Sequence, residues 1–318
     1  MPGINFEQLA KDCLINRTDN SSETIKLIDE VEKQYDYEDF VAILNYFFEI
    51  SNDYDVITYI LKKINKHKSK NSVSTLVDAL VLKDKYKIKT IDTEKQTMIR
   101  VAVAKVLANI KDNSAVNPLL FCLNNKNENY KLRLSCAEAL GKIGDKYAVL
   151  PLSEILKDTN EHSVYLKESA AFALGMIGDM KAVDPLVNIL ETKKGIIDKF
   201  TFLKERAIEA LSKIDFKKND RVFNALKNSL KDESVQVRVN AIEALSNTDD
   251  SRVPDILYGC LTDKSEEVVR NAIIALFNIL GEDILYKILN DYSLPEHTMK
   301  QVREVIKEVE EADDEEDE

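Results

Sequence analysis

Six copies of one nine-residue pattern fall between Ile99 and Leu276, and their spacing constrains the fold more than any other feature of the chain. The pattern is apolar, basic, two free positions, small, two free positions, Ala, Leu. It runs Leu132-Arg133 to Leu140, Leu166-Lys167 to Leu174, Leu203-Lys204 to Leu211 and Val237-Arg238 to Leu245, with looser copies from Ile99-Arg100 to Leu107 and from Val268 to Leu276. The closing leucines stand 33, 34, 37, 34 and 31 residues apart. Apolar positions recurring at helical spacing predict one helix per copy, and a period of this size predicts a stack of repeated units.

Each copy has a second half. A break such as Gly144-Asp145 or Gly178-Asp179 follows the first helix. Glycine can take the left-handed backbone that ends a helix, and aspartate can accept the N–H groups that start the next. A second helix is then predicted from Ala115-Val116-x-Pro118-Leu119 to Leu123, Ala148-Val149-x-Pro151-Leu152 to Leu156 and Ala182-Val183-x-Pro185-Leu186 to Leu190. Proline is tolerated there because the first N–H groups of a helix have no intrahelical acceptor. Repeat four is longer, through residues 215–220, which slips its second helix by three residues.

The two-helix unit resembles the HEAT repeat, in the short form of phycobilisome-lyase-like proteins. The residues carrying the likeness are cleanest at 132–156 and 166–190, and it covers about 99–292. The resemblance implies an all-α fold, an α–α superhelix of the HEAT-like solenoid kind. The expected organisation is 1–97 as degenerate helical pairs forming an N-terminal cap, 98–295 as a six-unit array, 296–311 as a capping helix, and 312–318 as a disordered acidic tail. In the first 97 residues Phe40, Ile43, Leu44, Phe47 and Phe48 keep helical spacing, as do Val56, Tyr59, Ile60 and Ile64.

The net charge of −12 belongs to that tail, since nine acids between Glu308 and Glu318 leave about −3 for the body. Cys13, Cys122, Cys136 and Cys260 are too scattered for a disulfide framework or a zinc site, and Cys122 and Cys260 read as small core residues. With no export signal and no apolar run of membrane-spanning length, the chain is expected to be cytoplasmic.

No residue set names a reaction, and neither catalytic residues, a metal nor a cofactor is expected. A HEAT-built iron hydroxylase of the deoxyhypusine type needs His-Glu pairs on facing repeats. Here His67, His162 and His297 are scattered, two of them in the reversed order Glu161-His162 and Glu296-His297. The basic residue of the pattern reads as a structural staple, because Asp158, Asp232 and Asp263 close three repeats just before the next base and could cap and pair with it. Lys62, Lys63, Lys66, Lys68 and Lys70 form a basic patch that Lys83 to Lys89 extends, which reads first as solvated surface and second as a weak nucleic-acid contact. The acidic tail could fold back on that patch.

The resemblance places the second helices on the concave side. Their positions expected to face away from the core include Asn117, Leu120, Phe121, Leu150, Glu154, Asp184, Val187, Asn188, Asp255 and Tyr258. Apolar side chains where solvent would favour charge suit a peptide or helix ligand. The function read from the sequence is therefore a non-catalytic scaffold binding a protein partner. Two alternatives stand beside it: a lyase-like cofactor-handling chaperone, implied by the resemblance, and nucleic-acid binding through the lysines.

Overall fold

In the computed structural model of the chain, the described residues are 21–161, 163–192, 199–214 and 219–316. Cys13, His162, residues 215–218 of the repeat-four insertion and the last two acids lie outside them. Among the described residues there are seventeen α-helices and no strand, so the α–α solenoid class read from the pattern is the class observed. The helices gather into two compact units, 1–155 and 156–318.

In the first unit α1 (Ser21–Gln34), α3 (Tyr54–His67), α5 (Thr93–Ile110) and α7 (Tyr130–Ile143) stack as one layer. In the second layer α2 (Tyr37–Ile50), α4 (Val73–Leu80) and α6 (Val116–Asn124) stack, and α8 (Val149–Lys157) follows them in sequence, crossing the boundary between the units. The aromatic-rich segment before residue 97 thus builds two helical pairs in the same arrangement, with Phe40, Phe47 and Phe48 sealed in its core. In the second unit α9 (Val164–Ile177), α11 (Lys199–Ser212), α13 (Val235–Ser246), α15 (Glu266–Leu280) and α17 (Glu296–Glu316) form the first layer. The second-layer helices there are α10 (Val183–Glu191), α12 (Asp220–Ser229), α14 (Val253–Gly259) and α16 (Asp283–Leu289).

The pattern explains the packing. All six closing leucines are fully buried, and so are Cys136, Ala170, Ala207, Ala241 and Ala272 at the small position. Small residues let first-layer helices approach closely. At Gly175 on α9 an added Cβ would stand 2.6 Å from the Ala210 Cα on α11.

The breaks work as the sequence suggests. Gly144 and Gly178 take φ of 80° and 70° and return their N–H to Leu140 and Leu174. Asp145 and Asp179 then accept from the N–H of Tyr147 and Lys181. The same left-handed position is filled by Lys68 and Lys111, at φ 51° and 58°.

The terminal helix differs from the expectation. It continues to Glu316, where a disordered run from 312 was read. Its buried start (Thr298, Val302, Val305) supplies the nucleus, and each further residue then costs only propagation. Spaced pairs such as Lys307–Glu311 at 3.3 Å add to it.

Candidate functional site

The buried arc of a second-layer helix is wide. On α10 it takes in Val183, Pro185, Leu186, Val187 and Ile189. That width corrects one expected row. Leu120 and Val187, read as outward-facing, are core residues at 6% and 0% exposure, and Ser153 in the equivalent place is buried too. The other expected positions do face outward: Asn117, Phe121, Leu150, Glu154, Asp184, Asn188 and Asp255 are all exposed, while Tyr258, equivalent to Leu120 and Val187, is half-buried.

The two units use this face differently. In the second, a polar ladder crosses from repeat to repeat. Arg221 on α12 donates to Asp184 at 2.5 Å, to Asn188 at 2.7 Å and to Glu191 at 3.3 Å on α10. Arg252 donates to Asp220 at 2.9 Å and stacks 3.8 Å above the Phe223 ring. The Tyr258 hydroxyl donates to Asp291 at 2.7 Å. Burial, and the charge of that acceptor, push the Tyr258 phenol up to about 12. Sequence reasoning missed Arg221, although the acids Asp184 and Glu191 stand about one repeat before it.

In the first unit the same face carries uncovered apolar surface. Phe121 on α6 is 65% exposed and Leu150 on α8 is 61% exposed.

Four bases of the pattern, Arg100, Arg133, Lys204 and Arg238, are staples. Arg100 donates through Nε to the Leu80 carbonyl at 2.7 Å and through both terminal nitrogens to Glu128 at 2.9 and 2.6 Å. Arg133 Nε reaches the Leu123 carbonyl at 2.8 Å. The acids at repeat ends pair backwards rather than forwards. Asp232 takes Lys204 of its own repeat at 2.6 Å, and Asp263 takes Arg238 at 2.8 Å. The next base uses backbone instead, Arg238 donating to the carbonyls of Asp232 and Glu233. The acid side chain also accepts from the backbone N–H two residues on, as Asp232 does from Ser234 and Asp263 from Ser265. The helix caps belong to other side chains, Ser234 accepting from Val237.

The lysine patch is partly neutralised by α1. Lys63 bridges Asp29 at 2.6 Å and Glu32 at 2.5 Å, Lys66 reaches Glu32 at 2.8 Å, and His67 lies 3.1 Å from the same carboxylate. The Lys63 and Lys66 ammonium groups hold the Glu32 carboxyl down at about 2. Lys70 stands 3.9 Å from Asp112. Lys85 is paired with Glu49, Lys83 with Asp78 and Lys89 with Asp84. Lys62, Lys68 and Lys87 are the exposed members left without an ion pair among the described residues. Nothing in the sequence flagged Asp29 and Glu32, which lie more than thirty residues upstream.

Among the described residues no three His, Cys, Asp or Glu side chains gather as a metal site. His297 contacts the Asp263 carbonyl at 2.9 Å. No helix among them is long and apolar enough to cross a membrane.

A family model described as HEAT repeats matches residues 88–164, 125–199 and 198–277. Among solved structures, Kap121p is similar over 95% of this chain and 37% of its own length, at 14% identity and a TM-score of 0.54. YibA of E. coli is similar over 90% of this chain and 98% of its own, at 16% identity and a TM-score of 0.49. The CpcE–CpcF complex of phycocyanin lyase from Nostoc sp. PCC7120 is similar over 73% of this chain and 92% of its own, at 17% identity and a TM-score of 0.44. No curated protein matches the sequence.

Proposed function

This chain belongs to the HEAT-repeat family, and from that premise we propose that it is a non-catalytic scaffold taking a protein partner on the second-layer face of its first unit. The observation that carries the reading is the exposure of Phe121 and Leu150 on successive second-layer helices. Solvent favours charge at such positions, as at Asp184 in the next repeat. Burying two large apolar side chains against a partner contributes about 1.5–3 kcal/mol each, and Asn117 and Glu154 beside them supply polar contacts for orientation.

Asp184, Asn188 and Tyr258 serve chiefly to join repeats in this reading, because Arg221 and Asp291 already engage them. Asp255 belongs to the cleft described below. In this reading we take the chain to be cytoplasmic, its cysteines being too scattered in the sequence for a disulfide framework.

The test compares partners recovered from the native cell by the wild-type chain, by Phe121→Glu/Leu150→Glu and by Asp184→Ala. Both altered side chains of the double variant are exposed, so its melting temperature should match wild type. The double variant is expected to lose the partner and Asp184→Ala to keep it. A double variant that folds and retains every partner would sink the proposal.

A further inference from the structure

Three departures from the repeat converge on one cleft in the second unit. It measures about 630 Å³ and lies between the ends of α12 and α14, with Arg238 in its wall.

The first departure is Gly259. The equivalent positions of earlier repeats carry Phe121, Glu154 and Asn188. A Cβ at 259 would meet nothing within 4 Å, so glycine leaves the cleft open where a side chain would otherwise stand.

The second is Arg238. Arg100 and Arg133 donate through Nε to a carbonyl at the end of a second-layer helix. At the end of α12 the Ser229 carbonyl is taken by the N–H of Asp232. Arg238 turns its Nη1 to the carbonyls of Asp232 and Glu233, and its buried Nε has no acceptor among the described residues.

The third is the balance of charge. Of the acids lining the cleft, Asp232 is held by Lys204 and Asp263 by Arg238. Lys227, Lys231 and Lys264 are all exposed there, and none has an ion pair among the described residues.

We propose that this cleft is a binding site for a small organic anion bearing phosphate or carboxylate groups, held by Lys227, Lys231 and Lys264 over the opening at Gly259. Its volume lies within the ~300–1,000 Å³ typical of small-molecule sites. Ammonium groups on flexible stems suit a polyanion as point charges, without the planar geometry that an arginine fork requires. Thr262, whose hydroxyl donates to the Gly259 carbonyl at 3.1 Å, borders the opening, and the half-buried Cys260 thiol lines the wall.

The full chain is titrated calorimetrically with pyrophosphate and, separately, with citrate. In parallel, site-resolved mass spectrometry follows alkylation of Cys260. Binding of either probe, together with slower Cys260 alkylation, is expected for the wild type. Pyrophosphate alone assigns phosphate recognition, and both probes binding assigns anions generally. Lys231→Glu/Lys264→Glu, which alters exposed side chains only, should weaken binding by about tenfold or more. Gly259→Glu should weaken it similarly by filling the opening with a carboxylate, whereas Gly259→Ala should melt no lower than wild type. The proposal is overturned if neither probe binds, if Cys260 alkylation is unchanged by a bound probe, or if the lysine double variant binds as tightly as wild type.

Discussion

At the scale of single residues, the positions that matter most are those where the repeat leaves no slack. Gly175 is one, with the Ala210 backbone where its Cβ would go. Gly175→Ala is expected to destabilise the second unit by about 1–3 kcal/mol through overpacking, seen as a lower midpoint in urea. An unchanged midpoint would mean that α9 and α11 separate freely. Arg100 is another, buried at 6% exposure with Glu128 fixed across it. Arg100→Ala strands that carboxylate and should cost about 3 kcal/mol or more. Arg100→Ala/Glu128→Gln should recover part of the loss, and a cycle without coupling would refute the staple. Arg100 and the buried leucines are legible in the sequence because they recur, one copy of the pattern predicting the next. Arg221 was hidden because its partners lie a full repeat upstream and the 215–220 insertion displaces it from the common register. Leu120 and Val187 were misplaced for a different reason, since helical periodicity gives the centre of the buried arc but not its width.

At the scale of elements, the turns and the first helix can each be tested. Lys111 holds a left-handed backbone where Gly144 and Gly178 carry no penalty. Lys111→Gly is expected to stabilise the chain by about 1 kcal/mol, raising the melting temperature. A fall would mean that the lysine charge at the helix end outweighs the strain. Helix α1 is held to α3 through Glu32, whose folded pKa of about 2 lies below its usual 4.5. A carboxyl depressed in this way contributes stability that is fully present above about 4.5 and is lost as pH falls toward 2. Amide exchange in α1 should therefore quicken across that window. In Glu32→Gln exchange should already be fast at neutral pH and lose the acid response; an identical profile in both proteins would dismiss the ion network as the anchor. The helical spacing of α2 and α3 is legible in the sequence. What holds α1 to α3 is not, because charge pairing across thirty residues leaves no local signature.

At the scale of the whole molecule, stability in stacked repeats is close to a sum of unit and neighbour terms. Damage at one end should therefore stay there. Thr298 donates to the Leu261 carbonyl at 2.6 Å, and Val302 is fully buried where α17 covers α15. Val302→Ala is expected to speed amide exchange in α15–α17 while leaving α1–α5 at wild-type rates. Equal acceleration along the chain would show one cooperative block instead.

The ladder on α10, α12 and α14 has a mechanical meaning. Arg221 and Arg252 each tie residues about one repeat apart, on the outer surface, through exposed ion pairs. Such pairs are individually worth about 0–1 kcal/mol and are screened by salt. They act like weak cross-ties on one side of a flexible strip, setting how easily that side lengthens. Raising the ionic strength should soften the second unit against bending without unfolding it, so its elastic compliance is written in the side chains that its repeats do not share.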